Sequence, residues 1–292
     1  MSISSDLGEQ REVRLSQGTV RYRERGEGEP IVFVHGLLVN GDLWRKVVPL
    51  LAGSYRCITP DWPLGSHSQP LAKAADLTPT GVARLIADFL EALDLEGVTL
   101  VGNDTGTALS QIVATEHPER LGRLVLTTGD AFSNFPPTMF KPIIALGYLP
   151  GSLWLTSKAM KPRAVQRFAF KALTRVLPDE SIFDSYIEPG ADRRIRHDLA
   201  KFLRGARSRY TRAAADKLPA LRAPALLVWA TEDKFFPNEH AHKLAELIPD
   251  ARVEEVHRSL AFSSEDQPER VAELIGGFIA DRPARAGAAA AG

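Results

Sequence analysis

A turn near the middle of the chain, residues 102–106, constrains the fold more than any other feature. Gly102 and Gly106 bound it, an apolar run precedes it, and a helical stretch follows it. Strand, tight turn with small residues at both ends, and helix together form the layout of a nucleophile elbow. Asp104 stands at the centre, so the pattern predicts a carboxylate oxygen as the attacking atom. The alternative is that Asp104 only caps the helix that follows.

Apolar runs alternate with helical patterns along most of the chain. The predicted strands are residues 31–34, 55–60, 98–101, 123–127, 225–229 and 252–256, and the predicted helices are residues 42–51, 79–93, 105–116, 239–247 and 268–279. Before them, alternating apolar residues on both sides of Gln17-Gly18 predict a hairpin at the edge of a sheet. Strands that alternate with helices form a mostly parallel sheet covered on both faces, so the fold class is α/β.

The alternation stops at about residue 136 and resumes after residue 212. Between these points the sequence has no buried-strand run and predicts helices at residues 139–146, 153–160, 164–176 and 192–209. A long helical insertion between two strands of such a sheet indicates a cap. We therefore predict a core domain of residues 1–135 and 213–281, a helical cap of residues 136–212, and a disordered tail of residues 282–292.

Charge and composition narrow the partners. The chain of 292 residues has 36 basic and 36 acidic side chains, so nothing indicates binding to nucleic acid or to an anionic membrane. One cysteine, Cys57, excludes an internal disulfide. The sequence contains no visible signal peptide and no stretch long and apolar enough to span a bilayer. We expect a soluble cytoplasmic protein, a monomer or a homodimer, whose partner is a small-molecule substrate.

Four segments in the same order resemble the motifs of the α/β-hydrolase superfamily. They are Val34-His35-Gly36, the turn at residues 61–68, the elbow at residues 102–106, and Trp229-Ala230-Thr231-Glu232-Asp233. Because the elbow carries Asp104, the chain resembles the branch of haloalkane dehalogenases and epoxide hydrolases. The resemblance implies an α/β-hydrolase fold with an inserted cap and hydrolysis of a small apolar electrophile, with no cofactor and no metal.

The same resemblance assigns expected roles to individual residues. Asp104 would displace a leaving group from carbon and form an ester, and an activated water would then hydrolyse that ester. The oxyanion would be held by the backbone N–H groups of Leu37 and Thr105, in the loop that His35 and Gly36 begin. In epoxide hydrolases two cap tyrosines donate to the epoxide oxygen, and Tyr148 and Tyr186 are candidates here.

The expected base is the main departure from the family pattern. The position that carries the catalytic histidine aligns with Ala261, which lies 28 residues after Asp233. His257 is the only histidine nearby, four residues earlier. Either the loop is rearranged so that His257 reaches the site, or the site has no histidine base, and we favour the second interpretation. The acid of the triad is Asp233 or, in the other position this branch uses, Asp130.

Halide binding also lacks its usual residues. Leu37 and Thr105 occupy positions where related dehalogenases often carry asparagine and tryptophan, and neither supplies a side-chain N–H. Two alternatives to hydrolysis therefore stay open. Asp104 is the base of a lyase or isomerase, or the chain is a ligand-binding homologue without activity.

Overall fold

The computed structural model describes residues 2–282, in which eight strands form one sheet. The strands are β1 (Glu9–Leu15), β2 (Gly18–Arg25), β3 (Glu29–Val34), β4 (Tyr55–Pro60), β5 (Val98–Asp104), β6 (Leu121–Gly129), β7 (Ala225–Ala230) and β8 (Ala251–Val256). Their order across the sheet is β1-β2-β4-β3-β5-β6-β7-β8. Pairs that involve β2 are antiparallel, and β4-β3-β5-β6-β7-β8 are parallel. This confirms the predicted α/β fold with an antiparallel hairpin at one edge.

Twelve α-helices lie among the described residues. They are α1 (Val48–Leu51), α2 (Pro79–Ala92), α3 (Thr105–Glu116), α4 (Lys141–Leu146), α5 (Ser152–Ala159), α6 (Arg163–Phe170), α7 (Glu180–Ile187), α8 (Arg193–Gly205), α9 (Ser208–Lys217), α10 (Glu239–Leu247), α11 (Ser263–Asp266) and α12 (Pro268–Asp281). The central strands β5 and β6 are buried at nearly every position along their length, and α3 packs against both of them. Burial on both faces explains why these strands are continuous apolar runs.

Local sequence signals predict the start of α2 correctly but predict one helix where the structure has two shorter ones. The Thr78 hydroxyl accepts a hydrogen bond from Gly81 N–H at 3.2 Å and begins α2, as its position before Pro79 predicts. The single helix predicted at residues 42–51 is wrong. A 3-10 helix ends at Trp44 and α1 starts at Val48, because Pro49 lacks an N–H and fits the first turn of a new helix better than the interior of a long one.

The segment between β6 and β7 consists of helices and loops in the described structure. The predicted helix at 164–176 ends at Phe170, the one at 192–209 ends at Gly205, and α7 was not predicted. The predicted cap boundary at residue 212 falls inside α9, which packs against α3 of the core.

The predicted tail at 282–292 lies almost wholly outside the described residues. Arg282 is described, and its carbonyl oxygen accepts a hydrogen bond from Arg123 Nε. Over residues 2–282, no helix combines the length and the apolar character that crossing a bilayer requires.

Candidate active site

Asp104 occupies a strained bend between β5 and α3. Its backbone has φ 54° and ψ −125°, a region that non-glycine residues rarely adopt. Neighbouring glycines make the bend compatible with its surroundings. A Cβ at Gly106 would lie 2.0 Å from the Val34 carbonyl oxygen, and a Cβ at Gly36 would lie 2.1 Å from Asp104 Oδ2. The small residues of the two motifs therefore permit the close approach of the β3 loop to the Asp104 side chain.

Backbone donors hold the Asp104 carboxyl. Leu37 N–H donates to Oδ2 at 3.0 Å, and the backbone N–H groups of Leu37 and Thr105 both favour the ionised form. Burial acts in the opposite direction and more strongly, and it raises the pKa of Asp104 from 3.8 to about 7. Part of the side chain remains open to a cavity, although protein surrounds the group as a whole. A proton therefore leaves Asp104 near neutral pH.

The cavity above Asp104 lies between the core and the helical insertion. Its volume is about 360 Å³, a size that suits a small molecule. Core residues Leu37, Leu38 and Val39 line one side of it. The insertion contributes a larger apolar set, which includes Phe140, Ile143, Ile144, Leu153, Met160, Phe170, Leu173 and Leu203. The lining favours a largely apolar ligand.

Asp130 is a second carboxyl group that lines the same cavity. It follows β6, and only 1% of its surface is exposed. Thr105 Oγ1 donates to Asp130 Oδ2 at 3.2 Å, whereas Oδ1 is buried without a hydrogen-bond partner among the described residues. Burial first, and then the charge of Asp104, raise the pKa of Asp130 well above its usual value. The pair therefore favours a state in which Asp130 keeps a proton.

Asp233 and Ala261 stand next to each other beside this pair. Asp233 Oδ1 accepts hydrogen bonds from Phe235 N–H and Phe236 N–H, each at 2.7 Å, and Oδ2 has no partner within residues 2–282. Burial raises the pKa of Asp233, and the backbone N–H of Ala261 acts in the opposite direction. Ala261 is fully buried, and its side chain is a methyl group that can neither donate nor accept a proton.

The structure does not bring His257 to the site. Its ring is exposed at the end of β8, and Nδ1 lies 3.2 Å from the Thr231 hydroxyl. The chain then turns at Arg258, which has φ 54° and donates its N–H to Glu232 Oε1 at 2.9 Å. This turn faces His257 outward, contrary to its candidate catalytic role. Among residues 2–282, no histidine lines the cavity.

His35 has a structural position. Its Nε2 accepts a hydrogen bond from Trp62 N–H at 2.8 Å, so Nδ1 carries the proton and donates to the Gly36 carbonyl oxygen at 2.9 Å. Burial lowers the pKa of His35 to about 3. The ring is therefore neutral and holds the turn that presents Leu37 N–H.

The two candidate tyrosines lie in different places. Tyr186 lines the cavity, stacks on Phe170 with ring centroids 5.7 Å apart, and has a buried hydroxyl without a partner in the described structure. Tyr148 is half exposed and donates from its hydroxyl to the Arg204 carbonyl oxygen at 3.0 Å, on the outside of the insertion. Only Tyr186 is in a position to contact a ligand in the cavity.

Two side chains have roles that the sequence analysis did not assign. The Thr105 hydroxyl donates to Asp130, a role distinct from that of its backbone N–H. Asn103 Nδ2 donates to the Ala261 carbonyl oxygen at 2.8 Å and fixes that loop against β5. Both residues lie in the turn at 102–106. Because the loops at the carboxyl ends of parallel strands meet at one edge of the sheet, this position is the sequence feature that could have indicated these roles.

Known proteins resemble this chain over most of its length. A family model described as alpha/beta hydrolase fold matches residues 29–268. The 2-hydroxymuconate semialdehyde hydrolase of Pseudomonas sp. strain CF600 is 29% identical over 290 residues, which cover 97% of this chain and 97% of the relative. Haloalkane dehalogenase 2 of Mycobacterium tuberculosis is 27% identical over 271 residues, with 89% and 91% covered. The structure of a haloalkane dehalogenase from Bradyrhizobium elkani has a TM-score of 0.76 at 22% identity, over 94% of this chain and 97% of that one.

Proposed function

The chain belongs to the α/β hydrolase fold family, and from that premise we propose that it is a hydrolase whose Asp104 carboxylate attacks a small, largely apolar electrophile. The observation that carries the proposal is the Asp104 carboxyl itself, which is held by Leu37 N–H at a strained bend and borders an apolar cavity. The dehalogenase and semialdehyde hydrolase relatives support hydrolysis as the class of reaction. Epoxides, alkyl halides and related electrophiles are the proposed substrates.

The first step joins Asp104 to a carbon atom. With Oδ2 bound to Leu37 N–H, the other carboxylate oxygen attacks an sp3 carbon, and the bond from that carbon to its leaving group breaks. Only the ionised form carries the negative charge that makes the carboxylate oxygen an effective nucleophile. Since the pKa of Asp104 is about 7, we expect ester formation to accelerate as the pH rises through neutrality.

The second step hydrolyses the ester. Water adds to the carboxyl carbon of Asp104, and the resulting oxyanion is stabilised by the N–H groups of Leu37 and Thr105 at the start of α3. Loss of one such donor typically costs about 100- to 1000-fold in rate. A group must also take a proton from the attacking water, and Ala261 at the usual histidine position has no atom for that task.

A non-hydrolytic enzyme is the second candidate. A carboxyl group with a pKa of about 7 in an apolar cavity suits a general base, and the missing imidazole removes the usual partner of ester hydrolysis. In that case Asp104 would take a proton from carbon in a lyase or isomerase reaction and would not form an ester.

Oxygen labelling separates these functions. Styrene oxide is mixed with a molar excess of enzyme in water labelled with heavy oxygen. Both the diol and the peptide that contains Asp104 are then analysed by mass spectrometry. Hydrolysis through an ester places the label in Asp104 after a single turnover, and Asp104→Asn abolishes the reaction. A product other than the diol, with no oxygen from water in it and no label in Asp104, would favour the lyase or isomerase. Unreacted epoxide that still binds equally to the wild type and to Asp104→Asn would indicate a ligand-binding protein.

A further inference from the structure

Thr105 forms hydrogen bonds with two carboxyl groups that line the cavity, those of Asp104 and Asp130. The backbone N–H of Thr105 stabilises the ionised form of Asp104, and the hydroxyl of Thr105 donates to Asp130. Asp130 N–H also donates to the Asp104 carbonyl oxygen at 3.2 Å. The ends of β5 and β6 therefore bring two carboxyl groups, Asp104 and Asp130, to the same cavity, which no histidine of residues 2–282 lines.

We propose that Asp130 carries the proton for both steps and that the substrate is an epoxide. As a carboxylic acid, Asp130 protonates the epoxide oxygen while Asp104 opens the ring. As a carboxylate, it then takes a proton from the water that hydrolyses the ester. This inference rests on the proposed function of Asp104 as a nucleophile.

The position of Asp130 supports contact with a ligand. One oxygen, Oδ2, is fixed by Thr105, and the backbone carbonyl oxygen of Asp130 accepts from Gln111 Nε2 at 2.9 Å. The other oxygen, Oδ1, is buried and has no partner among residues 2–282, yet the residue lines the cavity. A buried polar atom without a partner is costly, so an atom of this kind beside a cavity indicates a group that a ligand is meant to contact.

The charge of Asp104 sets the protonation of Asp130 in each step. Before the reaction, burial and the neighbouring Asp104 carboxylate keep the proton on Asp130, so it is ready to act as an acid. Alkylation converts Asp104 into a neutral ester and removes that negative charge. The remaining carboxyl group is then easier to ionise and has become a carboxylate by giving its proton to the epoxide oxygen.

The proton balance closes with an epoxide. In ring opening, the Asp104–carbon bond forms, the carbon–oxygen bond of the ring breaks, and the Asp130 proton moves to the released oxygen. In hydrolysis, water adds to the ester carbon and gives a proton to Asp130, and the tetrahedral intermediate expels the diol oxygen, which takes that proton. The carboxylic acid left on Asp104 returns its proton to Asp130, so the pair ends with the one proton with which it began.

An alkyl halide fits this cavity less well. Halide displacement needs no acid, so the protonated carboxyl group would give no advantage, and it would have to lose its proton to solvent before it could serve as a base. A departing halide needs N–H donors from side chains, and Leu37 and Thr105 supply none.

The test compares wild type, Asp130→Asn and Tyr186→Phe with two probes, styrene oxide and phenethyl bromide. Asparagine preserves the size of Asp130 and an acceptor for Thr105. In Asp130→Asn we expect ring opening of styrene oxide to slow about 100-fold or more. Alkylation by phenethyl bromide, which needs no acid, should stay within about threefold of wild type. The ester from either probe should persist on Asp104 as a mass adduct, whereas wild type releases it. Tyr186→Phe should slow opening far less.

The outcomes distinguish this inference from the function on which it rests. If Asp130→Asn opens and hydrolyses styrene oxide as fast as wild type, or if Tyr186→Phe has the larger effect, Asp130 does not carry the proton and Asp104 remains the nucleophile. If neither wild type nor any variant gains mass at Asp104 or turns over, the proposed function itself fails. A second measurement needs no variant. The decay of the phenethyl ester on wild type should accelerate as the pH rises from acidic to neutral, and a flat profile would overturn the inference.

Discussion

At the scale of single residues, the site depends on carboxyl groups whose partners are incomplete. Asp104 has its backbone donors, but Asp130 and Asp233 each have an oxygen without a partner in the described part of the chain. Burial raises the pKa of all three groups. A cluster of buried carboxyl groups lowers the stability of the fold, and such clusters are typical of functional sites.

Ala261→His is expected to supply the base that the family pattern carries and this chain lacks. The new imidazole would lie beside the Asp233 carboxyl, whose Oδ2 has no hydrogen-bond partner among residues 2–282 and can therefore orient the ring. Hydrolysis of a preformed Asp104 ester should then accelerate about 10- to 100-fold, measured from the decay of the adduct by intact-protein mass spectrometry. Leu260→His is the matched control, because it adds the same side chain one residue earlier. Equal effects from both changes would argue against a specific catalytic position for histidine at residue 261.

Asp104→Asn is expected to stabilise the fold, and more so at high pH. The folded protein holds a proton on Asp104 up to a pKa of about 7, whereas the unfolded chain releases it near 3.8. The buried charge therefore destabilises wild type above neutral pH, and this penalty decreases as the pH falls towards 4. At pH 8 the variant should melt roughly 5 °C or more above wild type, and the gap should narrow at acidic pH. A gap that does not change with pH would show that Asp104 does not titrate in this range.

The sequence indicated some residues of the site and missed the orientation of others. Asp104 and Thr105 followed from the elbow pattern, because a tight turn fixes its own backbone donors, and Leu37 followed from the family resemblance of the loop at residues 34–36. The outward direction of His257 depends on the turn at Arg258 and its bond to Glu232, which no local pattern encodes. The free oxygen of Asp130 likewise results from packing between β6 and α3.

At the scale of elements, one carboxylate joins α11 to the helical insertion. Asp266 Oδ1 accepts from Thr174 Oγ1 and Arg175 N–H at 2.7 Å each and from Val176 N–H at 2.9 Å. Its Oδ2 accepts from Leu260 N–H at 2.9 Å, in the loop that contains Ala261. The segment after α6 and the loop beside the site are therefore held by the same side chain.

Asp266→Ala is expected to loosen both segments. Four donors lose their acceptor, which should lower the free energy of unfolding by about 2–4 kcal/mol and increase hydrogen exchange at residues 173–176 and 260–262. Asp281→Ala is the control, because Asp281 is exposed and, within the described part of the chain, pairs only with Arg252 across 3.4 Å. Unchanged exchange at residues 173–176 in Asp266→Ala would show that other contacts hold the insertion.

Most helices of the core were predicted closely, as were α4 and α5 of the insertion. Residues 79–93 and 105–116 correspond closely to α2 and α3, since their apolar faces pack on the sheet. The insertion was harder to divide, because its helices are short and several large apolar side chains, such as Trp154 and Phe168, are exposed. Periodicity then no longer marks a single buried face.

At the scale of the whole molecule, the cavity belongs to core and insertion together. The core supplies the carboxyl groups and the loop at Leu37, and the insertion supplies most of the apolar lining. The strand alternation indicated the parallel sheet, but the order of its strands and the shape of the cavity depend on contacts distant in sequence, so residue patterns alone could not give them.

The volume of the cavity predicts a limit on substrate size. A space of about 360 Å³ accommodates one aromatic ring with a short side chain more easily than two rings. We expect kcat/KM for stilbene oxide to be about tenfold or more below that for styrene oxide. Met160→Ala, which removes a lining side chain of the insertion, should reduce this difference. Equal values for both epoxides in wild type would mean that the insertion moves away during binding.

Thr105 has a consequence for how such a site can change over generations. Its backbone N–H contacts Asp104 and its hydroxyl contacts Asp130. A substitution at position 105 therefore keeps the first contact but can remove the second. Valine would keep the backbone N–H but remove the hydrogen bond to Asp130, whereas serine would preserve both hydrogen bonds. A change at this codon that removes the hydroxyl would thus alter proton transfer by Asp130 in both proposed steps while leaving the backbone contact to Asp104 in place.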